Sequence, residues 1–280
     1  MASTISSVTG FLDDIYPRHW AQDWDRVGLV AGRGQWPVRK ALCVVDCVPE
    51  TLREAIEIGA DLIVAHHPLL LRGVSHLDPA TSYKGEIVHS LIENQIGLYV
   101  AHTNADVANP GVSDALADRI GLQQLSAIAP LPEAEHDGSG RGIGRVGNLP
   151  EAMTMREFVN MIAQVLPRTA WGVRATGQPD QVIETVAVSG GAGDSYLLAA
   201  QAVQADVFVT SDLRHHPVSE FLADAGSAEP GHSTPALIDV AHYASERPWA
   251  DLVARQLTEV VDEVAVSDIV TDPWTLHRLP

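Results

Sequence analysis

Short, continuous apolar runs alternate along the chain with apolar stripes at helical spacing. Ala41 to Val45, Leu62 to Ala65, Gly97 to Ala101 and Val264 to Val266 are brief and apolar and predict strands, as do Trp171 to Ala175, Val182 to Val188 and Ala236 to Val240, which carry one or two polar residues each. Between them, Ile5, Val8, Phe11, Leu12 and Ile15 mark a helix over Ser3 to Ile15 that Pro17 stops. Pro49 to Ile58, Lys84 to Gln95, Val112 to Ile120 and Trp249 to Val260 predict further helices. Thr154 and Glu157 have capping-box spacing ahead of another, which reaches Leu166. Strand, helix and strand between Ala41 and Ala65 make a βαβ unit, hence a parallel pair. Gly144 to Leu149 reads as an edge strand, and the glycine turn Ser189 to Ser195 opens a helix to Gln204.

Residues 130–141 are polar and rich in Pro and Gly, and they read as a linker between an N-terminal lobe, 1–129, and a C-terminal lobe, 142–280. Ala60-Asp61-Leu62-Ile63-Val64-Ala65-His66-His67-Pro68 and Ala205-Asp206-Val207-Phe208-Val209-Thr210-Ser211 are alike, which suggests lobes of related topology. Three further residues separate the second stretch from its own pair, His215 and His216. Ala228 to Pro235, with His232, reads as an additional loop.

The 280 residues carry a net charge of −18, which argues against a general nucleic-acid or membrane-surface binder, since both partners are anionic. No apolar run approaches the ~20 residues needed to span a bilayer. No basic region precedes an apolar core at the start of the chain, so no secretory signal is expected there. Cys43 and Cys47 are too far apart along extended chain for a disulfide and read as small core residues in a reducing, cytoplasmic setting.

The candidate chemistry sits where apolar strands end. His66 and His67 follow one strand, His102 and Asp106 a second, and His242 and Glu246 a third. Strand carboxyl ends are where α/β sheets collect ligands, and neutral imidazole is the commonest metal ligand. Adjacent imidazoles can face different ways, so His66 and His67 could serve one ion each. Asp106 is read as a ligand rather than as turn chemistry because of the His-His pair on the sister strand. His242 and Glu246, four apart, share one face of a helix. In Trp20 to Val30, Trp20 and Trp24 are taken as packing anchors beside a turn, with Asp25 and Arg26 on the rim of a site as the alternative. Five imidazole and carboxylate ligands exceed one tetrahedral site. They suit two divalent ions, of zinc, iron, manganese or nickel, roughly 3.5–4 Å apart.

Trp24 to Leu29, Ala65 to Leu69, Ala101 to Asp106, Gly142 to Gly147, Ser189 to Gly193 and Ala241 to Glu246 together resemble the dinuclear-metal-centre NGG-interacting-factor (Nif-three-like) family, called GTP cyclohydrolase 1 type 2. The resemblance covers nearly the whole chain and is closest to the family's short form. It implies an α/β fold of two related lobes with mixed sheets, the metal site in the cleft between them, and a toroidal homohexamer. His67 and Asp106 would hold one ion, His66 and His242 the other, and Glu246 would bridge. It further implies metal-dependent hydrolysis, opening the purine ring of GTP, with His102 as a catalytic proton shuttle. A phosphoesterase or amidohydrolase using the same ions, and a non-catalytic hexamer that carries metal or scaffolds a partner, are the alternatives. Ala241 stands where the family more often has glycine.

Overall fold

In the computed structural model, which describes residues 3–224 and 234–278, most of the expected runs and stripes become strands and helices. The first part of the chain forms α1 (Ile5–Ile15), β1 (Gly28–Ala31), β2 (Lys40–Val44), α2 (Pro49–Glu57), β3 (Leu62–Ala65), α3 (Tyr83–Glu93), β4 (Gly97–Val100) and α4 (Thr103–Val107). Next come α5 (Val112–Ile120), β5 (Gln123–Ser126), β6 (Arg145–Thr154), α6 (Met155–Val165), β7 (Val173–Ala175) and β8 (Val182–Ala192). The remainder forms α7 (Leu197–Ala202), β9 (Val207–Ser211), α8 (His215–Ala223), β10 (Ala236–Val240), α9 (His242–Leu257) and β11 (Glu263–Val266). Most of the expected loop Ala228 to Pro235, including His232, lies outside the described residues.

The chain divides into two compact units, Met1–Ala108 with Ala250–Thr271, and Asn109–Trp249 with Asp272–Pro280. The expected linker 130–141 lies within the second unit and contains a short helix, Pro132–Asp137.

The first unit is built on a five-stranded sheet in the order β11-β2-β3-β4-β1. Four strands are parallel, and β1 runs antiparallel to β4. All four residues of β3 are buried, which explains why a central parallel strand reads as an unbroken apolar run. Leu42, Val44, Ile63, Leu98 and Val100 form one core with Leu52 and Ala55 of α2 and Ile87 and Leu91 of α3. Ile5, Val8 and Leu12 are the buried stripe of α1, whose N-terminus carries the Thr4–Ser7 capping box. Cys43 and Cys47 are buried and form no disulfide.

The second unit carries a six-stranded mixed sheet in the order β7-β10-β9-β8-β6-β5. β8, β9 and β10 are parallel, while β7, β6 and β5 are antiparallel to their neighbours. Phe158 and Ile162 of α6 and Leu116 of α5 share a core with Val186, Val188, Val207, Val209 and Ile238. Ala187, Phe208 and Leu237 pack instead with Leu197 of α7 and Phe221 of α8. The strand expected over Gly144 to Leu149 forms within β6, but it pairs on both sides and is no edge; the edge on that side is β5, whose Gln-Gln-Leu-Ser sequence shows no alternation.

The two matching stretches play matching parts in their sheets. Asp61 Oδ2 accepts from the N–H groups of Arg39 and Lys40 at 2.7 and 3.0 Å, at the start of β2. Asp206 Oδ2 accepts from Glu184 and Thr185 N–H at 2.9 and 2.8 Å, on β8. Each aspartate thus ties the start of its own strand to the neighbouring strand. Asp61→Ala and Asp206→Ala should each cost about 1–2 kcal/mol, read as a lower midpoint in urea unfolding. Among the described residues, no helix is long and apolar enough to cross a membrane.

Candidate metal centre

In the first unit, β3 runs directly into His66 and His67, whose N–H groups donate to the Val45 carbonyl at 3.1 and 2.9 Å. That ladder carries both imidazoles to the strand tip. His66 is fully buried, and its Nδ1 donates to the Ala101 carbonyl at 2.8 Å. His67 Nδ1 donates to Asp46 Oδ1 at 2.7 Å. His102 is the N-cap of α4, and its Nδ1 donates to Asp25 Oδ1 at 2.9 Å. His66, His67 and His102 each offer a ligand nitrogen, and these atoms lie within 4.8 Å of one another. The two adjacent imidazoles therefore converge on one cluster, with ring centroids 5.1 Å apart. Asp106, one turn along α4 from His102, puts Oδ1 3.7 Å from His66 Nε2.

Asp25 is the buried anchor of this cluster. Its carboxylate accepts from His102 Nδ1, from Thr103 N–H and Oγ1, and from Arg26 N–H. Burial alone would raise its pKa, but the hydrogen bonds from His102 and Thr103 outweigh that and hold it far below the usual carboxylate range. Since the folded pKa is depressed, the stabilisation is present above the ordinary aspartate value of about 3.9 and is lost as pH falls toward the folded value. Asp25→Asn should therefore destabilise the protein by about 1.5–3 kcal/mol at pH 7, with the deficit shrinking on acidification below about pH 4. Paired denaturant titrations from pH 7 to 3 would measure it, and a deficit independent of pH would contradict the charge argument. The packing-anchor expectation is corrected for Trp24, which is 55% exposed and edge-on to His102.

In the second unit, His242 opens α9 directly after β10, and Glu246 lies one helical turn along. His242 Nε2 stands 3.0 Å from Glu246 Oε1, and its Nδ1 donates to Asp212 Oδ2 at 2.7 Å. The Glu246 carboxylate, with help from Asp212 and against burial, pushes the His242 pKa up to about 11. A cation taking Nε2 must therefore displace a proton. Gly191 abuts the pair: a Cβ there would lie 2.6 Å from Glu246 Oε1 and 3.5 Å from His242 Nε2.

One feature is common to all four histidines. Nδ1 is held by a carbonyl or carboxylate oxygen, which can only accept, so Nε2 is the atom each presents. Metal-ligating histidines are oriented in this way by their outer partners. Asp106 adds oxygen to the first cluster and Glu246 to the second, so each donor set is imidazole and carboxylate without thiolate and fits a borderline divalent ion.

The profile of the Duf34/NIF3 (NGG1p interacting factor 3) family matches residues 3–273. The chain belongs to the Duf34/NIF3 family. A Streptomyces coelicolor protein named "GTP cyclohydrolase 1 type 2 homolog" is 48% identical, over 98% of this chain and 94% of that protein. A Mycobacterium tuberculosis protein of the same name is 33% identical over 383 aligned positions, with 99% of this chain and 98% of that protein covered. Among solved structures, a Staphylococcus aureus protein has a TM-score of 0.84 at 30% identity, covering 98% of this chain and 99% of that one. A Bacillus cereus protein related to NIF3 reaches a TM-score of 0.86 at 23% identity and shows the shared fold.

For this Duf34/NIF3 chain, sequence reasoning singled out every imidazole of the two clusters but missed Asp46 and Asp212, and it favoured packing over chemistry near Asp25. A signal for the first two was available. Asp46 follows the apolar run Ala41 to Val45, and Asp212 follows β9, so acids stand at strand ends as the histidines do.

Proposed function

We propose that this chain is a metal-dependent hydrolase using two divalent ions held by residues of both units. By the family resemblance, His67 and Asp106 would hold one ion, His66 and His242 would hold the other, and Glu246 would serve both. The observation that carries the reading is the shared orientation of the four imidazoles, each with Nδ1 held and Nε2 presented. When bound, such ions supply Lewis acidity toward a carbonyl or phosphoryl oxygen and acidify water into a nucleophile near neutral pH. His102, aligned by Asp25, takes and returns a proton at Nε2. The name borne by the Streptomyces coelicolor and Mycobacterium tuberculosis relatives supports GTP as substrate, and the family resemblance adds hydrolytic opening of the purine ring with release of formate. Assembly as a toroidal homohexamer belongs to the same proposal and rests on the family resemblance, while a cytoplasmic setting rests on two buried cysteines that form no disulfide.

The test is elemental analysis of untagged protein prepared without chelator, together with a formate assay on GTP. About two ions per chain, with formate release lost on chelation and restored by metal, is the expected result. Protein that stays metal-free after reconstitution with zinc, iron, manganese and nickel would overturn the dinuclear reading. Full metal loading without turnover of GTP or phosphoesters would instead mark a metal carrier or scaffold. Sedimentation well below six times the 30.0 kDa chain would remove the hexamer.

A further inference from the structure

His215 and His216, left unused by the metal clusters, open α8, and His215 lines a pocket of about 390 Å³ within the second unit. That volume is in the range of small-molecule sites. Its apolar wall comes from Leu213, Val218, Leu222 and Leu237, with Val218 and Leu222 one helical turn apart on α8. Its charged lining, in a chain that is otherwise strongly acidic, is two guanidinium groups, of Arg174 and Arg214, and the single carboxylate of Asp239, with the His215 imidazole beside them.

The two guanidinium groups are held in place. Arg174 lies over the Trp171 ring, 4.3 Å from its centroid, and uses Nε and Nη2 on Asp239 Oδ2. Asp239, nearly buried, also accepts from Trp171 Nε1 at 3.0 Å and from Leu213 N–H at 3.2 Å, so its charge is spent within the wall. Arg214 is tied through Nε to Asp194, which leaves its terminal Nη1 and Nη2 as a fork, the geometry that grips an oxyanion.

We propose that this pocket binds a small organic anion, with an apolar body against Leu213, Val218, Leu222 and Leu237 and one phosphate or carboxylate on Arg214 and His215. It is a second ligand site, built without any residue of the metal clusters, and it does not depend on the hydrolase reading.

Phenyl phosphate is the probe, followed by ligand-observed saturation-transfer NMR on full-length protein stripped of metal with chelator. Inorganic phosphate and phenol serve as the half-ligands. The expected result is binding of phenyl phosphate at least about tenfold tighter than either half-ligand. Arg214→Gln, at a side chain 74% exposed, should weaken it about tenfold in protein whose urea midpoint is measured alongside. Val218→Trp, which fills the pocket, should abolish it, and His242→Ala should leave it unchanged. Phenyl phosphate binding no tighter than inorganic phosphate, binding indifferent to both pocket substitutions, or binding lost in His242→Ala would each overturn the proposal. Because the protein is metal-free, failure here leaves the dinuclear reading standing, and the converse holds.

Discussion

On the dinuclear-hydrolase reading proposed above, Glu246→Gln should cost at least one of the two ions and lower turnover by at least about a hundredfold, while the fold persists. The side chain is only 4% exposed, and its Oε1 lies 3.0 Å from His242 Nε2. Glutamine keeps the shape and one acceptor oxygen but removes the negative charge that two cations would share. Breaking a buried ion pair usually costs about 3–5 kcal/mol because the remaining charge is stranded. That penalty does not apply in full here. The Glu246 charge is the main reason His242 holds its proton, and Asp212 still accepts from Nδ1 after the substitution. His242 can then lose its proton, so the cost to stability should be well below that range. Metal content by elemental analysis and the urea midpoint, measured on the same preparation, separate the two effects. Full metal content in Glu246→Gln would remove Glu246 from the ligand set.

Much of the fold was legible because its central strands are buried on both faces. Leu62–Ala65 was delimited to the residue by an unbroken apolar run, Ala236–Val240 by a run broken only at Asp239, and Val112–Ile120 by the glycine that closes it. Where burial is one-sided or absent, the signal faded. The edge strand β5 is exposed throughout, so nothing in Gln123–Ser126 announces it. The run at Val264–Val266 was visible, but its partner was not. Pairing of β11 with β2 joins residues more than two hundred positions apart, a register that local pattern cannot carry. The glycine stretch misled for another reason. Ser189 to Ser195 has turn composition, yet Gly190 and Gly191 continue β8, because hydroxyl groups of neighbouring elements satisfy the Gly191 backbone. At the site, ligand types were readable from their place after strands. The carboxylates that orient them were read less well: Asp46 and Asp212 stand after strands as the histidines do, but Asp25 looks like any other acid in a chain with 36 of them.

Gly191→Ala should separate the metal site from the stability of the sheet that carries it. Gly191 adopts φ +70°, where an L side chain costs about 1–2 kcal/mol. The backbone has little room to relax. Its N–H donates to Ser245 Oγ at 2.9 Å, and its carbonyl accepts from Thr210 Oγ1 at 3.1 Å and Ser211 Oγ at 2.6 Å, all within the interior. Giving up any of these would cost roughly a further 1 kcal/mol. The new methyl would stand 2.6 Å from Glu246 Oε1, the movable end of a side chain, so the easier relief is for the carboxylate to swing away from His242. The expected outcome is a loss of about 1–3 kcal/mol in stability with a much larger loss in metal content, comparable to that of Glu246→Gln. Gly10→Ala is the matching control. Gly10 sits inside α1, where an added Cβ meets nothing within 4 Å, so it should stabilise the protein by about 0.5–1 kcal/mol and leave the metal untouched. If Gly191→Ala kept its full complement of metal, Glu246 would have room to move without leaving the ions. The close approach of β8 to His242 and Glu246 would then be a matter of packing rather than of ligand geometry.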